Sequence, residues 1–249
     1  MSLLQSILCR IGLRRAPDIH ELGDPVFTII MPTRNPGPKL RASLDSITSQ
    51  QGVTFEILVI DGNSSDGTAE LVAGHEAPIR FLPEDRPGVY EAMNLGLREA
   101  RGSILYFLGA GDRLRPEILR TVADAWPKSG EVFFYGDVWM DDLQCLYDGE
   151  FTAEKLRKKN ICHQAIFYSR SIFKRLGNYD VSYRYLADYA FNLRAFGDAA
   201  ILKRYVPWVI ADYEGDGLSA NCPDVAFQAA KASLCDQFLG PRKKSKKPN

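Results

Sequence analysis

Thr33, Asp61 and Asp112 each follow a short apolar run in the first half of the chain, and their side chains suit a polar or charged ligand. If the three runs are parallel strands, their ends meet at one edge of a sheet, where open α/β sheets bind ligands. A carboxylate only accepts hydrogen bonds, so the two aspartates suit N–H groups or metal ions. The alternative is a structural role, with Asp61 as a turn residue and Asp112 as a helix cap.

Apolar strands and helices alternate along residues 29–112. The runs before the polar residues are continuous, as in strands that are buried on both faces of a parallel sheet. Leu40, Leu44 and Ile47 then recur at helical spacing. This alternation predicts an α/β fold with a parallel sheet and crossover helices. We expect strands near residues 29–35, 55–60, 79–82 and 104–108, and helices through residues 40–47, 69–73 and 90–97.

These segments closely resemble the nucleotide-sugar-binding half of the family 2 glycosyltransferases, which have the GT-A fold. The resemblance covers roughly residues 25–220, and its motifs are specific in combination. It implies a Rossmann-like, mixed and mostly parallel sheet, flanked by helices in a single domain. The matching segments are IIMPTRN at 29–35, VIDGNSSDGT at 59–68, GVYEAMNLGLREARGSILYFLGAGD at 88–112, and YLADYAFNLR at 185–194.

The resemblance implies a binding site for a nucleoside-diphosphate sugar at the sheet edge. Asp61 would accept a hydrogen bond from the nucleobase, while Thr33 and Arg34 would line the pocket for the base and the ribose. Arg86 could reach the phosphates, although a loop arginine is often simply solvated. The full set of expected donor-binding residues is Pro32, Thr33, Arg34, Asp61, Asn63, Arg86, Gly88, Asn94, Gly111 and Asp112.

A diphosphate needs charge compensation, and the resemblance implies Mg²⁺ or Mn²⁺, which prefer oxygen ligands. The family typically ends its fourth strand with an Asp-x-Asp pattern. Here Gly109 and Gly111 stand where carboxylates are frequent, and Asp112 remains. Because Mg²⁺ commonly uses one or two carboxylates together with phosphates and water, we expect Asp112 to hold the metal. His163 is a second candidate ligand, with a hydrogen-bonded core residue as the alternative.

Asp188 is the candidate general base. It begins a helical stretch where the family places its catalytic base, although Ala190 stands where a second acid is frequent. The resemblance implies in-line attack by an activated acceptor hydroxyl, with inversion at the anomeric carbon. A carboxylate near that hydroxyl can take its proton, whereas the structural alternative is a helix N-cap.

Two further features in the second half are expected near the acceptor and the donor. Asp137 follows the apolar segment Val132–Tyr135 and is expected to face the acceptor. Residues 216–219 resemble the flexible loop that covers the donor in this family, and the neighbouring glycines fit a mobile lid.

Composition agrees with a globular enzyme. The chain has 249 residues, of which 45% are apolar and 25% charged, and its net charge is zero, which argues against a general nucleic-acid binder. Its five cysteines lack CxxC spacing, so neither a disulfide framework nor a structural zinc site is expected, and a reducing cytoplasm fits best. No apolar run is long enough to cross a bilayer, and we recognise no secretory signal.

Both ends of the chain are basic. Residues 1–15 have a basic amphipathic helix pattern, and residues 242–247 hold five basic residues in six positions. Both could contact an anionic inner face of the cytoplasmic membrane; a helix packed on the domain and a solvated tail are the alternatives. We divide the chain into an amphipathic segment 1–24, a glycosyltransferase domain 25–240 with its nucleotide-sugar half at 25–115 and its acceptor half at 116–240, and a basic tail 241–249.

The sequence therefore predicts an inverting glycosyltransferase that moves a sugar from a nucleoside-diphosphate sugar to a hydroxyl of a saccharide or lipid-linked saccharide. Two alternatives stay open. The acceptor could be a polyprenyl phosphate, or the protein could be a degenerate nucleotide-sugar-binding protein with little catalysis, because two acidic positions are absent. A nucleotidyltransferase is disfavoured, since no glycine- and basic-rich phosphate loop follows the first strand.

Overall fold

The computed structural model describes residues 25–86, 88–215 and 223–241. The basic segments 1–15 and 242–247 and the loop at residues 216–219 lie outside the described residues. The strands are β1 Phe27–Thr33, β2 Phe55–Asp61, β3 Ile79–Pro83, β4 Ile104–Phe107, β5 Arg113–Leu114, β6 Glu131–Met140, β7 Cys145–Tyr147, β8 Ile166–Ser169 and β9 Ile201–Tyr213. The helices are α1 Lys39–Thr48, α2 Thr68–Ala73, α3 Val89–Glu99, α4 Ile118–Ala125, α5 Ala153–Lys158, α6 Arg170–Leu176, α7 Ala187–Gly197 and α8 Val225–Leu239.

The described strands form a nine-stranded sheet in the order β3-β2-β1-β4-β8-β6-β9-β5, with β7 paired to β6. The predicted parallel arrangement holds for β1, β2, β3 and β4. Strand β8 then runs antiparallel to both β4 and β6, while β6 and β9 are parallel. The strand order reverses at β1, because β2 lies on one side of it and β4 on the other. The crevice between the ends of β1 and β4 is therefore a topological switch point, where such sheets bind ligands.

The apolar run at the centre of β1 is explained by burial on both faces of the sheet. Ile30 packs in one hydrophobic cluster, and Ile29 and Met31 pack in a second cluster. Alternate side chains of a strand point to opposite faces, and all three are fully buried. Each such side chain contributes roughly 1.5–3 kcal/mol of hydrophobic stabilisation. The cores on both faces fix the sheet edge at which the strand ends.

The second half of the chain is organised around buried aromatic rings. Phe191 of α7 stacks on Phe173 with ring centroids 4.4 Å apart, and its edge contacts involve Tyr168 and Tyr179. Aromatic pairs of this kind contribute beyond their buried area. They hold α7 against β8 and α6, and so fix the position of Asp188 in its first turn.

Several predicted elements change their bounds in the structure. The first strand ends at Thr33 rather than near residue 35, since the chain turns at Asn35, which has a positive φ of 49°. Strand β8 is preceded by a 3₁₀ turn, His163–Ala165. No described helix is both long and apolar enough to span a membrane.

Candidate active site

Asp61 lies at the end of β2, directly opposite Thr33 at the end of β1. Its Oδ1 accepts hydrogen bonds from the Thr33 hydroxyl at 3.1 Å and from the Ser64 hydroxyl at 2.6 Å, and its Oδ2 accepts from the Ser64 N–H at 2.8 Å. The residue is only 5% exposed. The carboxylate thus closes its own turn, as the structural alternative proposed, and Oδ2 keeps one acceptor position for a ligand.

The loops after β1 and β2 are joined to each other. The Ser64 hydroxyl accepts the Asn35 N–H at 2.7 Å, and the Ser65 N–H donates to the Asn35 side chain at 2.8 Å. Asp66 accepts the Gly37 N–H at 2.6 Å, and its hydrogen bond with Thr68 is the largest cause that lowers its pKa. These bonds make the two loops one polar surface at the switch point.

Other expected donor residues surround this surface. Pro32 is half-buried within β1, and the exposed Arg34 lies against Gly62. Asn63 has a positive φ of 58° and donates to Asp85 at 3.0 Å. Gly88 precedes α3 with a φ of 145°, and a Cβ there would meet the Glu91 carboxylate.

Arg86 is held by Glu84 rather than extended toward a ligand. Its guanidinium donates to both Glu84 oxygens at 2.9 and 2.6 Å, and its side chain is 58% exposed. These hydrogen bonds lower the pKa of Glu84 and raise that of Arg86. A contact with phosphate would require Arg86 to leave this pair.

Asn94 is one expected donor residue that the structure does not bring to the edge. Its Nδ2 donates to the Tyr179 carbonyl at 2.9 Å, and its Oδ1 accepts the Tyr179 N–H at 3.0 Å. The side-chain amide lies in the interior, where it joins α3 to the loop before α7. In this position Asn94 fixes the packing of α3, and its contact with the donor stays a prediction.

Asp112 is 5% exposed and lies beyond the end of β4, next to β1. It does not cap a helix, since α4 begins at Ile118 after Glu117. Its Oδ2 accepts from Gln164 Nε2 at 2.5 Å, and its Oδ1 accepts the Glu214 N–H at 3.1 Å. Burial raises the pKa of Asp112, and the hydrogen bond from Gln164 opposes that shift. The neighbouring Gly111 donates its N–H to the Ser43 hydroxyl at 2.8 Å.

A cavity of about 240 Å³ lies beside Gln164, the hydrogen-bond partner of Asp112. Asp188, His163 and Gln164 line it, so Gln164 joins the cavity to Asp112. Cys162 also lines it, and burial raises the pKa of this thiol, which donates to Gln164 at 2.9 Å. The other lining residues are Met140, Tyr147, Asn160, Ile161, Leu186 and Tyr213.

Asp188 is held by two neutral donors. The Tyr90 hydroxyl lies 2.6 Å from its Oδ1, and Asn160 Nδ2 donates to its Oδ2 at 2.6 Å. Burial, followed by the charge of Asp188, raises the pKa of Tyr90 well above its usual value, so the phenol stays a donor. Leu186 occupies the N-cap position of α7, and Asp188 therefore does not cap the helix. Its carboxylate is fixed at the cavity wall with acceptor capacity remaining on each oxygen.

Asp137 does not line this cavity, and its place differs from the expected one. Its Oδ1 accepts the Gly149 N–H at 2.6 Å, and its Oδ2 lies 3.0 Å from the Tyr205 hydroxyl. It marks a shift in the register between β6 and β9. This buried carboxylate satisfies the backbone near the shift, and its predicted contact with an acceptor stays a prediction.

The fit of a divalent cation depends on Asp112. Among the described residues, no group of three or more histidine, cysteine, aspartate or glutamate side chains is placed to hold a metal ion. The Asp112 carboxylate still has lone pairs beyond its two hydrogen bonds, and the charge of nearby His163 is among the causes that lower its pKa. Oxygen ligands of this kind fit Mg²⁺ or Mn²⁺ when donor phosphates supply further oxygens.

Sequence reasoning missed three residues of this arrangement. Asn160 donates to Asp188, Gln164 lies between the cavity and Asp112, and Glu214 lies beside Gly111. No local pattern marks Asn160 or Glu214. Gln164 directly follows the candidate metal ligand His163, and this adjacency is the signal that could have identified it.

The family model described as Glycosyl transferase family 2 matches residues 28–177. A Mycobacterium bovis protein named PGL/p-HBAD biosynthesis glycosyltransferase is 40% identical over 211 residues, which are 82% of this chain and 82% of that protein. The family model covers the ends of β1, β2 and β4 and the cavity residues up to Gln164, and it ends before Asp188.

Solved structures with a similar fold include TarS from S. aureus. This chain matches it with a TM-score of 0.66 at 16% identity over 86% of its own length, but spans 42% of that TarS chain. A shorter TarS was solved with UDP-GlcNAc, and the TM-score is 0.64 at 15% identity over 86% of this chain and 71% of that one. The mannosyltransferase PcManGT from Pyrobaculum calidifontis, solved with GDP-Man and Mn²⁺, gives 0.58 at 20% identity over 94% of this chain and 67% of that one.

Proposed function

The chain belongs to glycosyl transferase family 2 and is a glycosyltransferase, and we propose that it transfers a sugar from a nucleoside-diphosphate sugar to a hydroxyl of a glycolipid or lipid-linked saccharide, with inversion. The observation that carries the proposal is the position of Asp188. Its buried carboxylate lines a cavity that Gln164 connects to Asp112 at the sheet edge. The proposed base and the residue that binds Asp112 thus line the same cavity.

In this proposal the nucleoside binds across the ends of β1 and β2. Thr33 and Asp61 are fixed there by register and by the joined loops. The remaining acceptor position of Asp61 suits an N–H of the nucleobase. The diphosphate would then lie toward Asp112, at the crevice between β1 and β4.

The chemistry we propose uses Asp188 as the general base. The carboxylate takes the proton of the acceptor hydroxyl while that oxygen attacks the anomeric carbon. The new bond from oxygen to the anomeric carbon forms as the bond to the diphosphate oxygen breaks, and the nucleoside diphosphate leaves. Tyr90 and Asn160 keep the carboxylate oriented. This orientation increases the rate of the chemical step, because proton transfer depends on the geometry of the reacting groups.

A divalent cation would neutralise charge on the departing diphosphate when bound. We propose Asp112 and His163 as the residues closest to it. Charge compensation at this position matches the family resemblance and leaves room for phosphate oxygens in the coordination shell.

The acceptor class follows from the cavity walls. Met140, Ile161, Leu186 and two tyrosines surround the polar groups. Pockets lined in this way favour ligands with apolar parts, oriented by a few polar contacts. The M. bovis relative is named for PGL/p-HBAD biosynthesis, which supports an acceptor that carries an apolar group.

A two-step experiment tests the proposal. Calorimetric titration with UDP, GDP and dTDP, with Mn²⁺ and again with EDTA, should show binding of one of them and so identify the donor class. Transfer from the corresponding labelled sugar donors is then compared between apolar aryl glycosides and free saccharides, and the anomeric configuration of the product is read by NMR. Binding of none of the three nucleotides, or a retained configuration, contradicts the proposal.

A further inference from the structure

Glu214 lies beside Gly111, one of the two glycines that stand where carboxylates are frequent in the family. The antiparallel ladder of β5 and β9 pairs Arg113 with Asp212 and Leu114 with Ala211. Continued two residues beyond the ladder, the same register places Gly111 opposite Glu214. Directly opposed residues of such a pair share one face of the sheet, so a side chain from either position enters the same space.

Gly111 leaves that space to Glu214. A Cβ built on Gly111 would lie 2.3 Å from Glu214 Oε2, too close for any side chain to coexist with the present carboxylate position. The φ of 110° at Gly111 also favours glycine. Similarly, a Cβ on Gly109 would lie 2.6 Å from Asp112 Oδ2. The two glycines that replace the expected acids therefore form a cradle filled by carboxylates from other positions.

A positive charge already occupies this cradle. Lys39 Nζ, at the start of α1, lies 2.9 Å from Glu214 Oε2, and the Glu214 N–H donates to Asp112 Oδ1. The ammonium of Lys39 therefore balances the charge of Glu214 in this structure, at a residue whose backbone is joined to Asp112 by a hydrogen bond.

We propose that Glu214 is the second carboxylate ligand of the divalent cation that compensates the donor diphosphate, replacing in space the acid missing at Gly111. Lys39 is then the stand-in cation, which moves away from Glu214 when the metal and the diphosphate bind together. Two carboxylates with phosphate oxygens and water are a common shell for Mg²⁺. This inference rests on the proposed donor site, because the phosphates complete the shell.

The test measures Mn²⁺ binding directly, through the EPR signal of free Mn²⁺, in the presence of whichever of UDP, GDP or dTDP binds the wild type. The variant Glu214→Gln keeps the shape of the side chain and should weaken Mn²⁺ binding roughly 10- to 100-fold. Asp142→Asn is the matched control, since this exposed acid lies near Gly215 and the substitution removes the same charge. It should leave Mn²⁺ binding unchanged.

Lys39→Met gives the opposite prediction. Removal of the competing ammonium should tighten Mn²⁺ binding, whereas a lysine that itself binds the diphosphate would make nucleotide binding in EDTA weaker in this variant. That weakening, or equal Mn²⁺ affinity in Glu214→Gln and the wild type, overturns the inference while the donor site stands. A wild type that binds no nucleotide with or without Mn²⁺ overturns the proposed function as well.

Discussion

Asp61 and Asp188 are equally buried, at 5% exposure each, but they are held in different ways. Asp61 accepts from Ser64, three residues later, and from Thr33 across one parallel ladder. Asp188 accepts from Tyr90 and Asn160, which are 98 and 28 residues away. The first aspartate is fixed by a local turn and the second by tertiary packing.

This difference in how the two aspartates are held matches the two tasks that we propose for them, donor binding and catalysis. A turn that closes on itself presents backbone groups and a carboxylate to a nucleoside, and its shape depends on few neighbours. A carboxylate that must reach an acceptor hydroxyl needs an orientation set by rigid elements, here α7 and its aromatic contacts. We therefore expect substitutions around Asp61 to alter donor affinity and those around Asp188 to alter turnover.

The largest expected effect comes from Asp188→Asn. Loss of the base should lower kcat about 100- to 10,000-fold while nucleotide affinity stays within error, because the donor edge is untouched. Turnover is measured as release of the nucleoside diphosphate, and affinity by calorimetry. Asp124→Asn, at an exposed position of α4, is the control for the same chemical change. Full turnover in the Asp188→Asn variant would show that Asp188 is not the general base.

Asn160→Ala should come next in size. It removes a hydrogen bond to a charged group, worth about 1.5–3 kcal/mol, so kcat should fall about 10- to 150-fold with little change in nucleotide affinity. Steady-state kinetics on the folded variant check this, with Asn178→Ala as the exposed control. Equal losses in kcat and in nucleotide affinity would contradict the separate roles that we assign to Asp61 and Asp188.

Ser64→Ala makes the corresponding change beside Asp61. The carboxylate keeps two of its three hydrogen bonds, so part of the roughly 1.5–3 kcal/mol of a bond to a charged group is retained, and the Kd of the nucleotide should rise about 2- to 12-fold while kcat changes less. Calorimetry measures the affinity. Ser103→Ala, at the opposite edge of the sheet, should have no effect on it. A loss confined to kcat would reverse our assignment of the two aspartates.

The smallest effect is expected from Arg86→Met. Hydrogen bonds from Arg86 lower the pKa of Glu84, so the pair stabilises the fold above the ordinary glutamate pKa of about 4.3, and this is lost as pH falls through the lowered value. Because Arg86 is largely exposed and solvent screens its charge, the free energy of unfolding at pH 7 should fall only slightly. Urea denaturation at pH 7 and near pH 4 should show the difference shrinking, with exposed Arg41→Met as the control. A large accompanying loss of nucleotide affinity would instead support the predicted contact between Arg86 and the phosphates.

The strands and polar strand ends in the first half of this protein could be predicted from local sequence patterns. Continuous apolar runs ending in Thr33, Asp61 and Asp112 predicted parallel strands with polar ends, and the family resemblance is confirmed. Patterns of period two or 3.6 and glycine-rich turns are local properties. Short-range sterics and burial decide such elements, so they can be read without the fold.

Which side chains contact each other in the site depends on long-range packing, which local sequence patterns do not show. This packing turned Asn94 into the interior and Asp137 away from the cavity, and it placed Asn160 against Asp188 and Glu214 beside Gly111. Each of these contacts joins segments far apart in the chain. They depend on how helices pack and on the register of β9, because a side chain's partner is set by the sum of many weak long-range contacts and not by its neighbours in sequence.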